Sequence, residues 1–185
     1  MIGWIIAIAV VVILVLIYFG LYNSLVKYRN RVDETWAQID VQLKRRFDLI
    51  PNLVETVKGY AKHEKETLTK VIEARNKMME VPADNRQGQI EADNMLSGAL
   101  KSIFALGEAY PDLKANTSFI ELQHELTTTE NKVAYSRQLY NTTVMTYNTK
   151  VQSVPTNIVA KLHNFTERDM LSIPEVERVA PKVEF

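Results

Sequence analysis

The chain opens with an unbroken apolar run, and a highly charged region with helical spacing of its apolar positions follows. No charged side chain occurs in residues 1–26. At about 1.5 Å per residue, the core of the run, Gly3 to Leu21, spans roughly the 30 Å of a hydrocarbon layer. Trp4 lies at one end and Tyr18 and Tyr22 at the other, as in the aromatic belts of membrane interfaces. We therefore predict a transmembrane helix over residues 1–26.

A cleaved signal peptide is the alternative interpretation of this run. Signal peptides begin with basic residues, have a shorter apolar stretch and end at a small-x-small cleavage site. No Lys or Arg precedes the run here, and Phe19 to Tyr22 is a poor cleavage site. We therefore expect the span to stay uncleaved.

The positive charges that follow the span predict its orientation. None precedes it, whereas Lys27, Arg29 and Arg31 come directly after it. Under the positive-inside rule, this asymmetry places the N-terminus outside and the C-terminal domain in the cytoplasm.

Beyond the span, apolar residues recur at steps of three, four and seven, the pattern of packed helices. The first seam consists of Leu25, Val32, Trp36, Ile39, Leu43, Phe47 and Ile50. The pattern predicts that the membrane helix continues into the soluble region as one helix. Pro51 should end or kink it near Asp48, because proline removes a backbone hydrogen bond.

Three further helices and one short helix are expected after Pro51. We predict a second helix over about 53–78, a turn at 81–88, a third helix over about 88–109, a fourth from a capping box at Ser118–Glu121 to about Val151, and a short helix over 155–165. The predicted class is all-α: a single N-terminal transmembrane helix continuing into an antiparallel bundle of about four long helices. The predicted divisions are 1–26 for the span, 27–167 for the cytoplasmic bundle and 168–185 for an extended tail.

Composition narrows the possible functions. The chain has 185 residues, and 22 Lys and Arg balance 22 Asp and Glu. A balanced surface argues against generic nucleic-acid binding, which needs an excess of positive charge. There is no cysteine, which excludes disulfides, thiolate metal sites and cysteine nucleophiles.

Candidate catalytic motifs are incomplete. His63-Glu64 and His124-Glu125 begin like the zinc-protease motif HExxH, but Thr stands at positions 67 and 128, where the second histidine belongs. Glu121 and His124 form one ExxH, whereas a di-iron bundle needs two such motifs and two more glutamates. Because all three histidines are expected to be exposed, we predict no enzyme, cofactor or metal site. Metal chemistry at Glu121 and His124 is the one enzymatic alternative left.

Two polar groups are candidate contact sites. The first is basic: contact with lipid or a partner is possible for Lys27, Arg29, Arg31, Lys44, Arg45 and Arg46. Lys44 also has Asp40 and Asp48 at the ideal helical spacing for salt bridges. For the cluster at 44–46, local salt-bridging is the favoured interpretation.

The second candidate site consists of the pairs Tyr140-Asn141 and Tyr147-Asn148, which repeat seven residues apart. They are either the polar edge of a core seam or residues that set register or oligomeric state.

Several segments resemble the LemA family of bacterial membrane proteins. They are the run IDVQLKRRFDLIPNLVETVKGYAKHE (39–64), YPDLKA (110–115), LQHELTTTENKVAYSRQLYN (122–141), the second Tyr-Asn pair (147–148), Tyr22-Asn23 and the preceding apolar helix. The resemblance covers essentially the whole chain. It implies a single-span protein of the bacterial cytoplasmic membrane with a cytoplasmic helical bundle, and it implies no catalytic residues.

Two functions are compatible with these features. The first is a membrane-anchored scaffold or interaction protein that self-associates and contacts other membrane proteins. The alternative is a membrane-shaping or lipid-sensing protein that acts through its basic and amphipathic helical surfaces. The lipid bilayer is the expected partner in both.

Overall fold

The computed structural model describes residues 2–172, and these residues form an all-α fold, as predicted. They contain six helices and no strand. The helices are α1 (Ile2–Tyr60), α2 (Lys65–Glu80), α3 (Arg86–Ala109), α4 (Pro111–Lys114), α5 (Thr117–Gln152) and α6 (Thr156–Leu162). The region predicted as an extended tail begins at residue 168, and only 168–172 are described; these five residues are not helical.

The packing divides the chain into two compact units. Among the described residues, unit 1 comprises 2–38 and 136–170, and unit 2 comprises 39–135 and 171–172. Both units include part of α1 and part of α5. The predicted boundary after residue 26 marks the end of the apolar run, and the one after residue 167 marks the start of the expected tail. Both stay predictions.

Unit 1 pairs the first part of α1 with the last part of α5 in antiparallel fashion. The ring of Trp36 lies 5.9 Å from that of Tyr140, and the Lys150 ammonium lies 4.6 Å from the ring centre of Tyr28. Partner numbers rise as α1 numbers fall, which defines the antiparallel direction. The apolar core consists of Leu25, Val32, Trp36, Tyr140, Val144, Tyr147, Val159, Ala160 and Phe165.

Unit 2 packs the last part of α1 with α2, α3 and the first part of α5. Its core includes Ile50, Leu53, Val57, Leu68, Val71, Leu96, Leu100, Ile103, Phe119 and Leu126. Hydrogen bonds connect its helix ends: Tyr110 Oη donates to Glu64 at 3.1 Å, and Asn116 Nδ2 donates to Tyr60 Oη at 2.9 Å.

α1 does not end near Asp48, the first of the two outcomes predicted for Pro51, and the predicted kink stays a prediction. α1 continues through Pro51 to Tyr60. Proline leaves the carbonyl four residues earlier, that of Phe47, without its helical donor. Arg75 of α2 supplies a substitute: its Nε donates to Phe47 O at 3.5 Å, and its guanidinium lies 3.9 Å from the centre of the Phe47 ring.

The starts of the other helices also differ from the expected positions. α2 begins at Lys65 and not near residue 53, because residues 53–60 extend α1 and a turn at 61–64 follows. At the start of α5, the Phe119 amide donates to Asn116 Oδ1 at 2.9 Å. Asn116 therefore takes the capping role that the sequence suggested for Ser118. α3 starts two residues earlier than predicted and is capped by Asn85, which accepts from Gly88 N at 2.9 Å.

Candidate functional site

The predicted span is a helical segment with no protein packed on it. Every residue from 2 to 17 is exposed, and the most apolar window of α1 has a mean hydropathy of 3.1 and no buried residue. By length and composition, this helix could cross a membrane. A long, exposed aliphatic surface of this kind is unstable in water, so the segment has the character of a membrane anchor or a signal sequence.

An aromatic cluster marks the place where this exposed segment meets the packed part of unit 1. Tyr18 is the first half-buried residue of α1. Its hydroxyl lies 2.5 Å from Nε2 of His163, and the ring of Tyr22 lies 4.7 Å from the histidine ring and 5.8 Å from that of Phe165. The sequence predicts only that His163 is exposed. It is exposed, but no local pattern could reveal a partner 145 positions away.

The three basic residues that follow the span are all exposed on unit 1. Arg29 places its guanidinium 5.1 Å from the centre of the Phe165 ring. Lys27 and Arg31 line an open groove of about 500 Å³ together with Glu34. Their contact with lipid or a partner stays a prediction.

The second basic cluster consists of Lys44, Arg45 and Arg46. It lies in unit 2, and each of its three side chains has a different environment. Lys44 is exposed and lines a groove of about 300 Å³ with Asp40, Asp48 and the side chains of Phe47, Met78 and Met79. Arg45 pairs with Glu125 at 2.5 Å, and both side chains are about half-exposed. The three side chains therefore do not form one surface.

Arg46 is buried, which removes it from the candidate lipid or partner contacts. Its side chain is 1% exposed, and its Nη1 donates to Asp93 Oδ1 at 2.9 Å, with Glu130 at 3.5 Å from Nη2. Asp93 is equally buried. The signal for this pair was present in the sequence, since Arg46 follows Leu43 and Asp93 follows Ile90 by three residues, a spacing that puts each on its helix's apolar face.

The repeated Tyr-Asn pairs bind a segment of their own chain. Tyr147 Oη donates to Thr166 O at 3.0 Å, and Tyr140 Oη approaches Asp169 O at 3.4 Å. Asn148 donates to Arg168 O at 2.8 Å and accepts from Arg168 N at 2.9 Å. Tyr140, Tyr147 and Asn148 thus hold residues 166–169 against α5 in unit 1, as expected of the polar edge of a core seam. A role of the pairs in register or oligomeric state stays a prediction.

Burial also changes the titration of one of these tyrosines. Tyr147 is 1% exposed, and desolvation raises the pKa of its phenol above the ordinary value near 10. The neutral hydroxyl that donates to Thr166 O is therefore the favoured form in the folded protein.

The candidate metal residues are scattered in the described region. His63, His124 and Glu121 are exposed. Within residues 2–172, no group of three or more His, Cys, Asp or Glu side chains is arranged to hold a metal ion.

Comparison with known proteins establishes the family. The model of the LemA family matches residues 35–185. The chain belongs to the LemA family. It is also 25% identical over 163 residues to Protein LemA of Metamycoplasma hominis, an alignment that covers 88% of this chain and 74% of that protein. The LemA match begins beyond the apolar segment, so it does not rest on the hydrophobicity of the span.

Proposed function

We propose that this LemA-family chain is a membrane-anchored helical scaffold or interaction protein that self-associates and catalyses no reaction itself. The observation that carries the proposal is the exposed apolar segment 2–17, which continues without a helix break into the core positions Leu25, Val32 and Trp36 of unit 1.

Retention of the apolar segment is supported by the packing that begins at its end. Tyr22 contacts His163 and Phe165, and Leu25 is fully buried. A signal peptide is separated from its protein by an extended cleavage site, whereas here the residues after the apolar run are helical and packed. We therefore infer a permanent anchor.

The proposed location rests on the likeness to the LemA family of bacterial membrane proteins, and the proposed orientation rests on charge. We propose that the protein lies in the bacterial cytoplasmic membrane. We infer that its N-terminus is outside and its helical units are in the cytoplasm, because Lys27, Arg29 and Arg31 flank only the C-terminal side of the span.

Self-association is proposed through the span itself. Its aliphatic surface is uncovered along every face, and helices in a bilayer associate by close packing. The chain lacks cysteine, so single variants from Ile8→Cys to Leu16→Cys give an unambiguous cross-linking scan in native-like membranes. We expect cross-linked dimers to peak at every third or fourth position, and polymer-extracted particles of the unmodified chain to have one defined oligomeric mass.

A monomeric mass over a wide concentration range, together with cross-linking that is flat along the span, would overturn self-association. Dilution of the membranes with excess lipid is the control, because random collisions fall with dilution and a stable interface does not.

A lipid-sensing function is the second candidate, and one feature of the charge distribution favours it. Residues 1–32 and 131–166 contain no Asp or Glu, and both segments form part of unit 1 or lead into it. The basic residues of these segments that are exposed on unit 1 are Lys27, Arg29, Arg31 and Lys161, and Lys150 is half-buried. Unit 1 therefore has the charge that attracts anionic head groups near the end of the span.

A further inference from the structure

Helix α6 and the turn before it expose a stripe of three aliphatic side chains that no residue of unit 1 covers. Ile158 and Leu162 are 65% and 67% exposed, and their spacing of four residues puts them on one face of the helix. Val154, which is 78% exposed, belongs to the turn that leads into the helix. The opposite face is packed, with Thr156, Val159 and Ala160 buried. The helix is therefore firmly held by its inner face, while its outer face presents only aliphatic side chains and Lys161.

The stripe lies beside the end of the membrane segment. His163 follows α6 directly, and its ring contacts Tyr18 and Tyr22. Tyr18 is the residue at which the fully exposed part of α1 ends. Tyrosines at such positions lie at the level of the lipid head groups, so α6 emerges at the same depth.

The charge around the stripe suits a lipid surface. Between residues 131 and 166 there is no carboxylate, and the exposed Lys161 lies within α6. A lysine can extend its ammonium group to the head groups while its stem lies along apolar surface. An uncovered aliphatic face with one cation at its side fits the boundary between head groups and acyl chains.

We propose that α6 is a second membrane contact, in which Val154, Ile158 and Leu162 insert into the interfacial layer of the bilayer that holds residues 2–17. This inference rests on the proposed membrane anchor. A helix as short as α6 binds membranes poorly alone, but the anchor supplies a high effective concentration. The contact fixes the rotation of unit 1 about the span, since only one side of α1 carries α6.

Depth measurements on the full-length chain test this contact. Single variants Ile158→Cys, Val10→Cys and Met145→Cys, each labelled with an environment-sensitive fluorophore, are reconstituted in vesicles of phosphatidylethanolamine and phosphatidylglycerol. Met145 is the matched control, because it is an exposed apolar residue of unit 1 on α5. We expect the probes at positions 10 and 158 to emit at shorter wavelength, resist iodide and be quenched by spin-labelled lipid. The position 158 probe should respond to shallow labels and the position 10 probe to deep ones.

The results separate failure of the contact from failure of the anchor. If the probe at position 158 is as open to iodide as the one at 145 while position 10 is lipid-quenched, the anchor stands and the α6 contact is overturned. If position 10 is also open to iodide, both fail. Protection of position 158 without quenching by spin-labelled lipid overturns the contact as well, because a protein then covers the stripe.

A second variant links the signal to the stripe. Ile158→Asp with Leu162→Asp changes only exposed side chains, so helical content should be unchanged. A probe at Val154→Cys in this background should lose its lipid quenching. Retained quenching would contradict insertion through these side chains.

Discussion

Two adjacent arginines show that burial, and not the residue type, decides what a charge does. Arg45 is half-exposed and pairs with Glu125 at the surface, whereas Arg46 is enclosed with Asp93. Exposed pairs contribute little to stability because water screens them. A buried charge that loses its partner is costly, because it remains desolvated. Among the three consecutive basic residues, Arg46 is the one whose spacing from Leu43 puts it on the apolar face of α1, and Asp93 of α3 is the partner that it meets there.

We expect Asp93→Ala to lower the free energy of unfolding of unit 2 by about 3–5 kcal/mol, because it leaves Arg46 buried with Glu130 as its remaining partner. The matched control, Glu125→Ala, should cost less than about 1 kcal/mol. Urea denaturation of the full-length chain in detergent, followed by helical circular dichroism, measures both.

The double variant Arg46→Met with Asp93→Leu should recover most of the loss, since apolar side chains of similar volume need no partner. Equal losses of unfolding free energy for Asp93→Ala and Glu125→Ala would show that the buried pair contributes no more to stability than the exposed one.

At the scale of elements, apolar periodicity predicted helices far better than it predicted their ends. α3, α5 and α6 lie close to their expected ranges, because their apolar seams are continuous. The errors occur where a side chain replaces a backbone partner: Asn116 caps α5, and Arg75 contacts the carbonyl that Pro51 leaves without a donor. Local sequence cannot show the second case, since Arg75 belongs to another helix.

The interaction of Arg75 with α1 predicts a thermodynamic coupling to Pro51. Arg75→Ala should cost about 1–2 kcal/mol through the lost hydrogen bond and the lost stacking on Phe47. With Pro51→Ala, residue 51 regains its amide and can donate to Phe47 O, so the cost of Arg75→Ala should fall by about 0.5–1.5 kcal/mol.

The four unfolding free energies of this double-mutant cycle give the coupling directly. Lys70→Ala is the control on the same helix, because its exposed pair with Glu66 is local, and it should show no coupling to Pro51→Ala. Strict additivity of Arg75→Ala and Pro51→Ala would mean that the arginine does not support the helix at the proline.

At the scale of the whole molecule, the family and the all-α class could be predicted from sequence, but the division into two units could not. The seam of α1 is uniform from Leu25 to Ile50, and nothing in its spacing marks the change from α5 partners after residue 136 to the partners of unit 2. Likewise, the contact between His163 and Tyr18 could not be predicted, because 145 positions separate the two residues in the sequence.

The proposed orientation makes a prediction for the complete chain in bacterial cells. In intact cells, a membrane-impermeant maleimide should label Ile2→Cys and leave Tyr135→Cys unlabelled until lysis. Tyr135 is 69% exposed, so its protection would come from the membrane and not from burial. The cysteine-free parent gives the background.

Labelling of the Tyr135→Cys variant in intact cells would show that the orientation is the opposite of the proposed one. Labelling of this variant in a soluble, shortened product would instead identify residues 1–26 as a cleaved signal.

The antiparallel pairing in unit 1 also sets an order of events during synthesis. Ribosomes deliver the chain from its N-terminus, so Leu25, Val32 and Trp36 emerge long before their partners Tyr140, Val144 and Tyr147. Nearly all of unit 2, residues 39–135, lies between these two groups in the chain. Unit 2 therefore has most of its core available while the seam of unit 1 still lacks a partner. α1 is therefore made before the other helices described here and is among the last to be completely packed.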